Sequence, residues 1–174
     1  MKVRVEHRWD LSPQEAARLQ LELRARLKPG PAPCLRQGAI KTIAGADIAL
    51  DKEKNLGFAG VIVYSFPELH ELERQCASRT LSFPYVPGLL VFREGPVLLD
   101  ALAKLRTEPD LLFFDAHGYS HPRRFGLASH LGVILDTPAI GCAKSLLIGH
   151  YEEPPNQPGA WTPLVDAEET IGAV

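Results

Sequence analysis

Cysteine is scarce in this chain. The three residues present, Cys34, Cys76 and Cys142, stand far apart and form no C-x-x-C pair. That spacing argues against a disulfide framework or a zinc knuckle, and it fits a reducing compartment. Charge of one dominant sign is also missing: 19 Lys and Arg against 21 Asp and Glu leave a formal net charge of -2. No global basic field recruits nucleic acid, so a polyanion would have to be held by local arginines or by bound cations. No apolar run is long enough to span a bilayer, and the opening residues MKVRVEHRWD hold no apolar signal-peptide core. The expected location is the cytoplasm, with no membrane partner. Internal repeats and low-complexity tracts are absent. What is there suits one domain, 1–174, with a core of useful size: 174 residues, of which 45% are hydrophobic and 23% charged.

The pattern along the chain predicts its elements. LSPQEAARLQLELRARLK (11–28) reads as a helix, with Ser12 and Glu15 forming an S-x-x-E capping box and Pro13 in the first turn. Ala16, Leu19, Leu23 and Leu27 make its apolar stripe. KPGPAPC then breaks the helix and acts as a linker. Three β-like segments follow at 39–50, 57–66 and 69–79, joined by short turns that suit an antiparallel meander. After them helix and strand alternate. FREGPVLLDALAKLRTEP is helical, DLLFFD is a buried strand, HPRRFGLASHLGVILD is a helix opened by Pro122, and PAIGCA is another strand. Such alternation implies parallel crossovers. The order β-β-β-α-β-α-β, preceded by one extra helix, predicts an α/β fold whose mixed sheet has an antiparallel half and a parallel half. The tail is Pro-rich and then weakly strand-like.

Ligands of open α/β sheets gather at the carboxyl ends of the parallel strands. Asp115 ends one such strand, and Asp47 lies in the first strand among small and apolar neighbours, where a lone carboxylate is costly to bury. Glu94 lies at the start of the first crossover helix. Three converging carboxylates repel one another unless a cation sits between them, and oxygen ligands suit Mg²⁺ or Mn²⁺ rather than zinc. Each residue also has a plainer reading. Asp115 would serve as a turn cap, Asp47 as a satisfied polar group, and Glu94 as a favourable acid in a first helical turn. His117, His121 and His130 would serve as structural histidines. Arg123 and Arg124 stand at a helix start, where cations oppose the helix dipole, a misfit that points to phosphate contacts. Lys144 follows a buried strand and is placed to stabilise charge at a phosphoryl centre. In FPYVPGLL, Pro84 and Pro87 stiffen a loop before Gly88 and hold Tyr85 outward, as an aromatic that wedges into or stacks on bases would need; the alternative is a connector with a buried tyrosine.

Together PYVPGLLVFREGP, IAGADIAL and DLLFFDAHGYSHPRRFGLASHLGVILDTPAIGCAKS resemble the endonuclease V family of deaminated-base repair nucleases. The resemblance implies a ribonuclease H-like fold. It implies metal-binding aspartates at Asp47 and Asp115, a catalytic glutamate at Glu94, an active-site lysine at Lys144, and His121 near the metal and scissile phosphate. Tyr85 matches the wedge tyrosine, and Gly118, beside His117, matches part of the pocket for a flipped base. The implied activity is Mg²⁺- or Mn²⁺-dependent cleavage of DNA or RNA on the 3′ side of inosine by a monomer. Two departures stand out. Ala116 replaces the family's usual glycine, and the sequence ends at EETIGAV, before the last strand, helix and late histidine of typical members. Two other readings stay open: a module that recognises inosine-containing nucleic acid with weak or no catalysis, and a hydrolase of another phosphate ester.

Overall fold

A computed structural model describes residues 1–30 and 39–174; Cys34 and most of the expected linker lie outside the described residues. The first helix, α1 (Pro13–Arg24), starts as its sequence dictates. Ser12 Oγ accepts from the Glu15 backbone N–H, and Glu15 accepts from the Ser12 N–H at 2.8 Å, so both orphan donors are satisfied. Three strands follow, β1 (Thr42–Asp51), β2 (Leu56–Ser65) and β3 (Glu71–Thr80), then α2 (Leu90–Leu102), β4 (Leu111–Phe114), α3 (Leu127–Leu135) and β5 (Ala139–Gly141). The chain closes with a separate hairpin, β6 (Pro163–Asp166) and β7 (Glu169–Ala173).

The five-stranded sheet has the order β3-β2-β1-β4-β5. β1 pairs antiparallel with β2 and parallel with β4, and β4 pairs parallel with β5. This is the mixed sheet, antiparallel in one half and parallel in the other, that the alternating pattern predicts, in the ribonuclease H-like arrangement that the family resemblance implies. One face carries the core. Ala44, Ala46, Ala59, Val61 and Val63 alternate toward it along β1 and β2, and α2 and α3 pack there, with Phe92, Phe114 and Phe125 fully buried. Burying each such ring contributes about 2–3 kcal/mol. β2 is central, yet its other face is not covered: Phe58 is exposed.

All three helices are bounded differently from the sequence expectation, α1 ending at Arg24 and not at Lys28. The expected helix over 92–109 runs instead from Leu90 to Leu102, so Glu94 is its fifth residue and not a first-turn acid. The expected helix at Pro122 begins only at Leu127. Residues 121–126 form a turn, because Arg124 adopts φ 53° and its N–H closes on the His121 carbonyl at 2.7 Å. A left-handed residue cannot continue a right-handed helix. Arg123 and Arg124 are therefore turn residues, and the dipole argument for them does not apply.

Candidate active site

β1 and β4 run parallel in register, Ala46 beside Phe114, and the Asp115 N–H donates to the Ala46 carbonyl at 3.3 Å. Asp47, midway along β1, and Asp115, just past the end of β4, thus stand side by side on two neighbouring strands. Their partners Ala46 and Phe114 are buried under the helices, so the period-two pleat turns both carboxylates to the opposite side. β3 is antiparallel to β2 and so parallel to β1. Its end delivers the 81–89 loop and the start of α2 to the same edge, which brings in Glu94.

The three acids feel one another. Burial, first, and then the charges of Asp47 and Asp115 push the Glu94 carboxyl up to about 7, against the opposing pull of Arg93. Lys144 Nζ donates to Asp115 Oδ2, and that contact holds the ammonium above its ordinary value. Asp47 Oδ1 accepts from the Ile48 N–H at 2.7 Å. Among the described residues no three His, Cys, Asp or Glu side chains stand in a ready-made ligand arrangement. The donor set nevertheless suits a hard divalent cation. It consists of carboxylate oxygens, one of them on a carboxyl raised chiefly by burial, and a cationic side chain already lies against another.

Ala116 fits without strain. It is not among the positive-φ residues, and its methyl is buried in the core. The backbone beside it is tightly packed: a Cβ at Gly141 would sit 2.4 Å from the Ala116 carbonyl oxygen and 2.5 Å from the Gly118 nitrogen. His117 Nε2 donates to the Ser145 carbonyl at 3.0 Å and so fastens the loop that carries Lys144. Gly118 opens onto a cavity of about 1410 Å³, which His117 and the 143–147 segment also line.

The loop of Pro84, Tyr85 and Pro87 is held at its base and free at its tip. Phe83 and Leu89 are buried, and Arg93 Nη1 donates to the Phe83 carbonyl at 2.6 Å. Tyr85 is 71% exposed, which settles the choice between a presented and a buried ring. Gly88 has φ 78°, a conformation that glycine adopts at least cost. Its carbonyl accepts from His121 Nε2 at 3.1 Å, from Arg123 Nη2 at 2.6 Å and from Gln20 Nε2 at 3.1 Å.

Those contacts change the parts expected of three residues. His121 is 3% exposed, and its Nδ1 accepts from the Arg123 N–H while its Nε2 donates to Gly88. Burial, with help from the Arg123 charge, holds the ring down to about 4, so it is neutral at pH 7. One ring nitrogen serves the loop and the other the turn, so both are engaged within the protein. Arg123 spends Nε on Gln20 Oε1 at 2.7 Å and Nη2 on Gly88. Arg124 is buried, paired at 2.8 Å with both Asp166 and Glu169, and Tyr119 Oη donates to the same Glu169 at 2.6 Å. Arg124 thus ties the β6–β7 hairpin to the turn and does not face the acids.

Gln20 is the residue the sequence reading missed. It lies on the apolar stripe of α1, four residues after Ala16 and three before Leu23, and it is 1% exposed. A lone amide on such a stripe is the signal that could have found it, since buried polar groups need partners.

Known proteins resemble this chain in sequence and in fold. The profile of the endonuclease V family matches residues 22–174. Endonuclease V of Roseiflexus sp. (strain RS-1) is 51% identical over 95% of this chain and 72% of its own length. That of Nostoc sp. (strain PCC 7120) is 45% identical over 100% and 77%. The crystal structure of the Bacillus subtilis endonuclease V superposes with a TM-score of 0.91 at 32% identity, over 99% of this chain and 75% of that one. Ciona intestinalis endonuclease V, solved with a 24-mer DNA containing an inosine followed by a ribo-adenosine, gives 0.71 at 32% identity over 79% and 59%.

Proposed function

Since this chain belongs to the endonuclease V family, a family of phosphodiester-cleaving nucleases, we propose that it cuts DNA or RNA on the 3′ side of inosine, in repair of deaminated bases, with Mg²⁺ as the resident cation and Mn²⁺ as a substitute. The observation that carries this reading is that parallel pairing sets Asp47 beside Asp115 on neighbouring strands, and the effect of both charges on the half-buried Glu94 carboxyl supports it. Asp47, Asp115 and Glu94 would hold the cation, which supplies charge neutralisation at the phosphate and an easier proton loss from the attacking water.

The chain's own groups do the rest. Glu94 keeps its proton while the acids are uncompensated and gives it up when positive charge enters between them. Lys144, 81% exposed at its side chain and lying on Asp115, is free to swing to the scissile phosphate and steady its developing charge. Tyr85 enters the stack beside the lesion. A flipped base costs a few kcal/mol to extrude, less from an inosine mispair, and the Gly118 side of the cavity receives it. His121 and Arg123 hold the Tyr85 loop. Cys76 and Cys142 are free thiols, in keeping with a cytoplasmic enzyme.

The test is a cleavage map on end-labelled DNA and RNA strands, each with one inosine, in Mg²⁺, in Mn²⁺ and in EDTA. One cut on the 3′ side of inosine, abolished by EDTA, supports the proposal. Selective inosine binding with no cut under any metal would make the chain a recognition module.

A further inference from the structure

We propose that Gln20 is a specificity-determining positioning residue: its carboxamide locks the Tyr85 loop to the His121–Phe125 turn and thereby sets how well inosine is told from ordinary bases. The idea rests on the inosine-directed reading above and goes further, to a residue of the N-terminal helix that touches neither the acids nor the wedge ring.

Packing alone does not call for an amide here. Ala16 and Leu23 on the same stripe are buried and apolar, and a buried amide without partners costs about 1–3 kcal/mol by mutational measures. Gln20 escapes that cost because every polar atom is used. Its Nε2 donates to Gly88 O and to Phe125 O, each at 3.1 Å, and its Oε1 accepts from Arg123 Nε at 2.7 Å. Carbonyls only accept and a guanidinium only donates, so these contacts allow one orientation of the amide. One side chain thus links three points: the loop at Gly88, the turn at Arg123 and the entry to α3 at Phe125.

The loop needs this hold. Between the buried anchors Phe83 and Leu89, the Leu89 N–H to Val86 O bond at 2.9 Å ties the loop only to itself. The attachments to other elements converge on the Gly88 carbonyl, three residues from Tyr85. A carbonyl has two lone pairs, so three donors over-determine its position. With Gln20 gone, Arg123 loses the acceptor that orients its Nε, and Gly88 keeps only the partners on the turn. The loop then drifts relative to α1, and the wedge must be ordered at the moment of binding, which lowers discrimination.

The experiment uses the full chain with Gln20→Met, which keeps the volume, and Gln20→Glu, which keeps the acceptor for Arg123 but removes both donors. Three quantities are read: the ratio of kcat/KM for inosine over guanosine at one position, the split of any loss between KM and kcat, and hydrogen exchange of the free protein at 85–90. The expected result is a roughly tenfold fall in the ratio, carried by KM with kcat within about threefold, in the range that misplaced positioning groups produce. Exchange at 85–90 should quicken at least tenfold while β4 stays protected. An unchanged ratio would overturn the specificity role, as would a loss carried by kcat that follows the melting temperature. If the wild-type chain itself shows no inosine preference, the functional reading fails. Exchange at 85–90 then still decides whether Gln20 fixes the loop, and unchanged exchange overturns that too.

Discussion

Glu94→Gln should make the cation-free protein more stable at neutral pH and leave it unchanged in acid. The folded carboxyl titrates at about 7 against an ordinary value of 4.5. Below pH 4.5 both folded and unfolded chains carry the proton, and no penalty exists. Between those values the unfolded chain releases the proton while the folded chain keeps it, so stability falls as pH rises. Above about pH 7 the loss is complete. A 2.5-unit difference at 1.36 kcal/mol per unit is about 3.4 kcal/mol, and partial solvation of the group reduces the expectation to about 2 kcal/mol. Glutamine does not titrate, so the variant escapes the loss. Urea melts in EDTA across this range read it directly: the midpoints should coincide near pH 4.5 and diverge by roughly 1 M at pH 8, for a slope of about 2 kcal/mol/M. Mg²⁺ should restore the wild type at pH 8, because the cation compensates the acids. Parallel curves for the two proteins over the whole range would refute a Glu94 carboxyl raised by burial and by the nearby aspartates.

Further outcomes follow from the same geometry. Tyr85→Ala should leave stability within about 0.5 kcal/mol, since the ring is exposed, while inosine selectivity drops and cation binding by calorimetry is unchanged. Gly88→Ala should cost about 1–2 kcal/mol in urea unfolding, because φ is 78° and the new Cβ would sit 2.8 Å from Arg123 Nη2. Arg124→Met should release the β6–β7 hairpin from the 121–126 turn, seen as at least tenfold faster amide exchange over 164–172, with exchange in β1 unaffected. Lys144→Ala should slow cutting without weakening cation binding, since the ammonium competes for Asp115 in the free protein.

Much of the fold is legible in the residues. The change from alternating strands to helix-and-strand units at Pro84 marks where the sheet turns parallel, and β3-β2-β1-β4-β5 is the order observed. The two aspartates could be placed because Asp115 directly follows the apolar run of β4 and Asp47 interrupts the small and apolar residues of β1. The start of α3 could not, since Pro122 reads as an opening helical residue and only the left-handed Arg124 delays the helix to Leu127. His121, Arg123 and Arg124 look alike in sequence as a basic cluster, yet their partners come from far away: Gly88, Gln20, Asp166 and Glu169. Long-range polar pairing leaves no local period, so type and spacing alone could not sort a loop clamp from a phosphate contact. Gln20 is different: its place on the apolar stripe of α1 marks it as buried, and only its partners are non-local.

The central claim is that one acidic site cuts while a separate loop recognises. Single-turnover cleavage and equilibrium binding of a single-inosine DNA duplex, measured side by side for the wild type and Asp115→Asn, test it most directly. The substitution should slow Mg²⁺-dependent cutting by at least a hundredfold, while the preference for inosine over guanosine in EDTA stays within about twofold. Cutting that survives Asp115→Asn, or an inosine preference lost together with it, would contradict the account.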